Sequence, residues 1–396
     1  VSAAPRRAAG PGEQTLLLCA LIATAQMTWG AVVPVLPGVA ERQGLGVGAL
    51  GVLIAAFAVG RILANIPAGA ALARLPARPY LSGALLALAL ITAGTGWADG
   101  TIALLVLRLI AGALGGAVVT VGFAVLLRGA PPQRRGRVVA IATVVQLTGA
   151  AAGSVLGGVV LAAAGERAVF VCAAVPALLA LAWDRWRPAA DYWRAPAPQD
   201  DGASGPAWAG AALPVLIGLV LVSFATFFAR FAGEQGLMPV LAYEQAGLDP
   251  VGLGLALAAG TVASLGVIPV VGRWVDRGAR RRLVWPAAVL GALALAALGG
   301  ADRPWSFIVL VVLYTAATSA LGVVPGVVTA ERFGPRRTGA VVGLTRTAGD
   351  AGAAAGPIVV LGVAENAGFA AAALLLGAVF LVAGAHFALV LGRRAG

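Results

Sequence analysis

Apolar residues run along this chain in long blocks, broken by short polar segments at intervals of about one membrane thickness. Twelve blocks are long enough to cross a bilayer: residues 15–38, 48–72, 80–97, 101–127, 138–163, 167–186, 208–235, 251–273, 283–300, 304–329, 339–363 and 368–392. A span of hydrocarbon needs about 20 such residues. Lipid offers backbone N–H and C=O groups no partner, and the blocks are too long and continuous for barrel strands, so each is expected to be a helix. The predicted fold is all-α and integral to the membrane, with twelve transmembrane helices.

The polar punctuation repeats at an offset of 203 residues. Glu41, Gly44, Leu45, Leu50 and Gly51 recur as Glu244, Gly247, Leu248, Leu253 and Gly254, and Gly69, Arg74 and Arg78 as Gly272, Arg277 and Arg281. Pro132, Arg134 and Gly136 recur as Pro335, Arg337 and Gly339, and the pair Gly149 and Gly153 as Gly352 and Gly356. Two pseudo-symmetric six-helix halves are expected, residues 1–186 and 208–396, joined by a Pro-, Ala- and Asp-containing cytoplasmic linker over 187–207. A duplicated membrane half is the architecture of a secondary transporter whose site lies between the halves.

Composition agrees with the blocks: 60% of residues are apolar and only 11% charged, against roughly 25% charged in soluble domains. The net charge of +12 would suit nucleic acid if it were clustered on one soluble face. It is not. All 28 basic residues are Arg. With the N-terminus in the cytoplasm, 21 of them fall on that side and only Arg42, Arg167 and Arg303 outside. That asymmetry is the positive-inside signal and predicts cytoplasmic termini. Nucleic-acid binding is therefore not expected. The first block is too long for a signal-peptide core and reads as a retained span. Cys19 and Cys172 lie inside blocks and suggest neither a disulfide framework nor a metal site. The Arg- and Ala-rich, Lys-free usage points to a GC-rich bacterial genome, hence to the bacterial inner membrane.

After the second block come Pro67, Gly69, Leu72, Arg74 and Arg78; after the eighth come Pro269, Gly272, Asp276, Arg277, Arg280, Arg281 and Arg282. These resemble the cytoplasmic loop signature of the major facilitator superfamily, G-x-L-A-D-R-x-G-R-R. Arg108, with Gly112 four residues on, is similar to the superfamily's R-x-x-x-G signature in the fourth helix. Within the superfamily the drug:proton antiporters look most similar. Their fifth-helix pattern, G-x-x-x-G-P-x-x-G-G, is matched by Gly149, Gly153, Gly157 and Gly158 with Ser154 in place of Pro, while the eleventh block keeps Gly352, Gly356 and Pro357.

The resemblance implies a gating role for Gly69, Arg74, Arg78, Gly272, Asp276 and Arg277, with Asp276 placed to meet a helix N-terminus and the arginines facing the cytosol. In the first copy Ala73 stands at the acid's position, and Pro76 and Ala77 replace the expected Gly and Arg. The bland alternative is that these arginines serve only as topology anchors. Gly153, Gly356 and Pro357 belong to the exporter signature, with close helix packing as their alternative role.

Charges inside a membrane are costly, so each demands a reason. Asp350 is the proton-coupling candidate, because desolvation would raise its pKa and a nearby Arg would lower it. A static pair with Arg346, four residues earlier on the same face, is the alternative. Arg108 is a candidate for coupling or for lining the cavity. Arg61 reads equally as a pairing partner or a substrate contact. Arg230 and Glu234 share i, i+4 spacing and read as a structural pair or outer gate, with Glu234 near the outer boundary. The superfamily lines its cavity with helices 1, 4, 7 and 10, so Trp29, Gln26, Arg108, Arg61, Phe227, Arg230 and Tyr314 are substrate-cavity candidates. For the aromatic ones, helix packing or lipid contact is the alternative. The first half carries no carboxylate within its blocks except Asp184, at the cytoplasmic end of the sixth.

The expected function is secondary active transport: proton-coupled export of a small amphipathic drug or metabolite by alternating access. An uptake carrier of the same fold and a non-transporting membrane sensor are the alternatives. An enzyme is not expected, since no nucleophile motif, metal cluster or phosphate loop is visible. Expected partners are a small-molecule substrate and the bilayer, with the protein a monomer; no cofactor is expected beyond a proton gradient as energy source.

Overall fold

The computed structural model describes residues 10–71, 75–129, 135–188, 193, 213–278 and 280–392, with the side chains of residues 11, 66, 69–71, 135–137, 139, 276, 330 and 334–340 outside the description. Among the described residues every regular element is a helix. In chain order these are α1 (Pro11–Val32), a tight turn of 3-10 helix (Val33–Val35), α2 (Leu36–Arg42), α3 (Val47–Ala71), α4 (Ala77–Thr95), α5 (Thr101–Gly129) and α6 (Arg135–Trp186). Then follow α7 (Leu213–Ala229), a π-helical turn (Arg230–Leu237), α8 (Met238–Glu244), α9 (Pro250–Asp276), α10 (Arg280–Ala297), α11 (Pro304–Ala367) and α12 (Phe369–Gly392).

Among the described residues eleven stretches are long and apolar enough to cross a membrane. One of them, Ala140–Trp186, runs 47 residues, about twice what a crossing needs. It is divided by Gly165 (φ 81°, ψ 179°), in the left-handed region that a Cβ disfavours. The all-helical, multi-span fold read from the sequence therefore holds. Large apolar side chains such as Leu90, Ile102, Leu179, Val262, Leu293 and Val382 are exposed on the helix exteriors, as they are where the surrounding solvent is lipid.

The helices form two compact units, residues 1–35 with 59–199 and residues 36–58 with 200–396. Residues 36–58 pack with the second unit, a placement the duplication does not predict. The linker expected over 187–207 lies almost wholly outside the described residues. In the first unit α1 packs along α6 and against α5, and α4 packs on α5 and α6. In the second, α7 packs on α11 and α12, while α9 and α10 pack on α11.

Apolar burial alone does not drive helices together in lipid, where tails are as apolar as leucine; close van der Waals contact does. The glycine repeat supplies it. A methyl group at Gly153 would stand 2.9 Å from Met27 Cα, and one at Gly149 would stand 3.1 Å from Ala23 Cα, so α6 meets α1 backbone to backbone. In the second unit a methyl at Gly356 would stand 3.1 Å from Phe228 Cα, and one at Gly352 would meet Phe224. The repeat also sets the backbone: Gly44 and Gly247, 203 residues apart, have φ of 67° and 64°, and Gly165 and Gly368, at the same offset, have 81° and 86°.

Candidate functional site

In the first unit buried polar side chains lie on α1, α4, α5 and α6, and half-buried ones on α3. Arg108 is 5% exposed on α5. Arg61 lies on α3 where that helix crosses α5: a methyl at Gly116 would stand 3.1 Å from Arg61 Cα and 3.3 Å from Asn65 Oδ1. Thr120 of α5 donates to Asn65 Oδ1 at 3.1 Å. Gln26 of α1 donates through Nε2 to Gln146 Oε1 of α6 at 2.9 Å, so this candidate is engaged in a bond between helices. Trp29 is buried on the same helix. For the Asn65–Thr120 bond the signal in the sequence is an amide inside an apolar block.

In the second unit Arg230 and Glu234 form an ion pair, Nε to Oε2 at 3.3 Å. They stand on the π turn, where Met238 N–H donates to Gly233 O, five residues back. Pro239 explains the widening. It has no N–H to donate to Gln235, and its ring crowds that carbonyl, so the ladder slips before it reaches the proline. The sequence reading sets Glu234 near the outer boundary. The apolar stretch continues through α8 to Glu244, leaving Glu234 about 15 Å inside its end at the usual helical rise.

Beside this pair Gln235 is 1% exposed, and neither its amide nitrogen nor its oxygen has a hydrogen-bond partner. Nothing in the sequence singled it out except its neighbour Glu234. Tyr314 of α11 is fully buried, within electrostatic reach of Glu234 and Arg230. Its ring packs edge-on against Phe380 of α12 at 6.2 Å. Phe227 packs onto α11, 3.0 Å from where a Gly349 methyl would stand, and Phe228 lies under Gly356. Asp350 is 2% exposed on α11, whereas Arg346, one turn earlier, is exposed.

Of the gating candidates, Gly69 lies in the last turns of α3, and Arg277 follows α9 and is exposed. Arg74 and the side chain of Asp276 lie outside the described residues. A methyl at Gly272 would meet no described residue of its own unit within 4 Å. Arg78 has a partner that the sequence did not suggest: its Nε donates to Asp184 Oδ2 at 3.0 Å and its Nη2 to the Asp184 carbonyl at 2.9 Å, joining α4 to α6. Pro357 lies where α11 meets α3, its carbonyl carbon 2.9 Å from where a Gly51 methyl would stand. No cluster of His, Cys, Asp and Glu suited to a metal occurs among the described residues.

Charged and amide side chains held inside two bundles of apolar helices are the arrangement of a protein that passes polar matter through a membrane. The profile of the Major Facilitator Superfamily matches residues 18–249 and 219–396. The chain belongs to this superfamily. It is therefore a multi-pass membrane transporter. This superfamily member is 31% identical over 356 residues to a chloramphenicol resistance protein of Streptomyces lividans, covering 86% of each chain. It is 35% identical over 118 residues to a multidrug resistance protein B homolog of Mycobacterium tuberculosis, which covers 28% of this chain and 22% of that protein. Two solved structures share the fold. One is the human organic anion transporter MFSD10 (TETRAN), with TM-score 0.68, 21% identity and coverage of 96% of this chain and 100% of that one. The other is a bacterial homolog of the human lysosomal transporter Spinster, inward-facing and unoccupied, with TM-score 0.73, 14% identity and coverage of 97% and 98%.

Proposed function

We propose that this transporter exports a small amphipathic drug or metabolite across a bacterial plasma membrane in exchange for protons, with both termini in the cytoplasm. The observation that carries the direction is the likeness, along 86% of both chains, to a protein named for chloramphenicol resistance. Resistance by a membrane carrier requires outward movement. Coupling is assigned to the membrane carboxylates of the second unit. Asp350 is the proton carrier: it is buried at 2% exposure on a helix whose neighbouring Arg346 is exposed. Glu234 and Arg230 form the gate, and Gln235, with an unmet donor and acceptor, offers hydrogen bonds to a polar group of the substrate. Arg108 provides the fixed positive charge of the first unit. Alternating access then follows from carboxylates that exchange a proton as the substrate arrives and leaves.

The test is drug accumulation in everted vesicles with an imposed proton gradient. Gradient-driven uptake into such vesicles is expected for the intact protein and is lost in Asp350→Asn, while substrate exchange without a gradient persists. Uptake that proceeds unchanged in Asp350→Asn removes the assigned proton site. Movement only in the opposite direction makes the protein an uptake carrier.

A further inference from the structure

The crossing of α1 and α6 fixes a pair of amides. Gln26 Nε2 donates to Gln146 Oε1 at 2.9 Å. Four residues further along both helices a methyl at Gly30 would stand 3.1 Å from Ala150 Cα, and on the other side one at Gly149 would stand 3.1 Å from Ala23 Cα. The backbones that carry the two amides are therefore held by direct contact.

The bond leaves half of each amide unused. Gln26 keeps its carbonyl oxygen as an acceptor, and Gln146 keeps its NH2 as a donor. Reversing both amides reverses the bond and leaves the same inventory, one open acceptor and one open donor. Both side chains are half-buried, and among the described residues neither makes a second hydrogen bond. Their free atoms are not sealed off in the bundle. At the usual helical rise Gln26 lies about 21 Å from Gly12 and about 24 Å from Arg42, the ends of its apolar stretch. Among the described residues that stretch is the most enclosed of the eleven. A free amide facing acyl chains at this depth would give up its hydrogen bonds to water for nothing. The open atoms of Gln26 and Gln146 therefore face a space that water or a ligand enters.

The surrounding charges do not call for an ion. Arg61 and Arg108, the charges deep within the first-half blocks, already have partners. The carboxylate at the end of the sixth block, Asp184, holds Arg78. What the α1–α6 crossing offers is a neutral donor beside a neutral acceptor.

We infer that the linked amides of Gln26 and Gln146 form a subsite for an uncharged carboxamide, whose N–H donates to Gln26 Oε1 and whose C=O accepts from Gln146 Nε2. This rests on the reading of the chain as a carrier of small amphipathic molecules, and it narrows that class to neutral ones that present a donor and an acceptor together.

The test is calorimetry of the purified full-length protein in detergent, with probes that share one apolar arm: phenylbutanamide, its N,N-dimethyl derivative, phenylbutylammonium and phenylbutanoate. Phenylbutanamide is expected to bind about tenfold more tightly than the dimethyl amide, which has no N–H to donate, and more tightly than either ion. Gln26→Leu combined with Gln146→Leu removes both partners and leaves neither amide unpaired, so the melting temperature is expected to stay within a few degrees while the tenfold preference is lost. Equal binding of the two amides by the intact protein overturns the inference. So does tightest binding of either ion, binding of none of the probes, or a preference that survives the double substitution. Everted vesicles that fail to transport while the carboxamide preference holds strike the export reading and leave this subsite standing.

Discussion

Helix α1 with its break at Val33–Val35 and helix α7 with its π turn at Arg230–Leu237 are one element in two copies. They open the two halves of the repeat, and their apolar stretches are 31 and 32 residues long. Both break in the same region, yet in opposite senses: the first tightens to 3-10 helix and the second widens to π-helix. The chemistry differs at the matched positions. Where α1 has Met27 and Ala31, the second copy has Arg230 and Glu234. In α1 those residues lie under the glycines of α6, so their backbone is a packing surface. In the second copy they carry an ion pair. One copy of the helix serves as a packing axis and the other as a place for charge. A duplicated scaffold can specialise in this way because the glycine crossings, not the side chains at these two positions, hold the bundle together.

The start of the following helix shows the same division. Asp249 caps α9 locally, accepting from Gly252 N–H at 2.7 Å. The matched residue in the first copy is Gly46, which has no side chain to cap with. There the carboxylate of Glu365, from the far end of α11, lies against Gly46 and Gly48 at the start of α3. A local cap in one copy gives way to a distant carboxylate in the other, and both place negative charge at a helix N-terminus.

The largest test of the comparison is to block the packing axis. Gly153→Leu drives a side chain into Met27 and Ala31 and is expected to cost at least about 3 kcal/mol, seen as loss of folded protein in detergent melts. An unchanged melt would show that α1 and α6 do not cross closely. Next is the ion pair. Glu234→Ala is expected to cost about 1–2 kcal/mol in unfolding stability, between the values for exposed and buried pairs, since the two side chains are 28% and 19% exposed. Ala31→Glu with Met27→Arg, which writes the same pair into the first copy, is expected to destabilise rather than stabilise, because that backbone is packed. A gain in melting temperature would sink the division of labour proposed here. The smallest effect separates the two caps. Asp249→Ala is expected to cost about 1 kcal/mol whatever residue stands at 365, whereas the cost of Glu365→Gln disappears once Gly46→Asp supplies a local cap. Equal costs of Glu365→Gln with and without Gly46→Asp would remove Glu365 from that role.

Much of this was legible in the sequence because the membrane makes composition a structural statement. The twelve apolar blocks, the repeat of 203 residues and the helix-crossing glycines follow from apolar run length and spacing. Helix ends were harder to read. Residues 304–367 form one continuous helical stretch, within which the two expected blocks remain separate apolar spans, Pro304–Phe333 and Val341–Ala367, and α8 extends the seventh span past the charges that seemed to end it. Of the candidate site residues, Arg230 and Glu234 are paired as their spacing suggested. The bonds Gln26–Gln146, Thr120–Asn65 and Arg78–Asp184 join residues at least 55 positions apart, and local spacing does not say which polar groups meet.

The sequence by itself determined that this chain crosses a membrane many times, that it was built by duplication, and which polar residues lie within its spans. Those properties depend on transfer from water to lipid and on periodic spacing, both of which are carried residue by residue. Only the tertiary structure decided which polar groups meet, that Pro239 widens the seventh span into a π turn, and that Glu365 stands where the first copy lacks a cap. Hydrogen bonds and ion pairs are fixed to fractions of an ångström, and only packed helices bring distant residues that close.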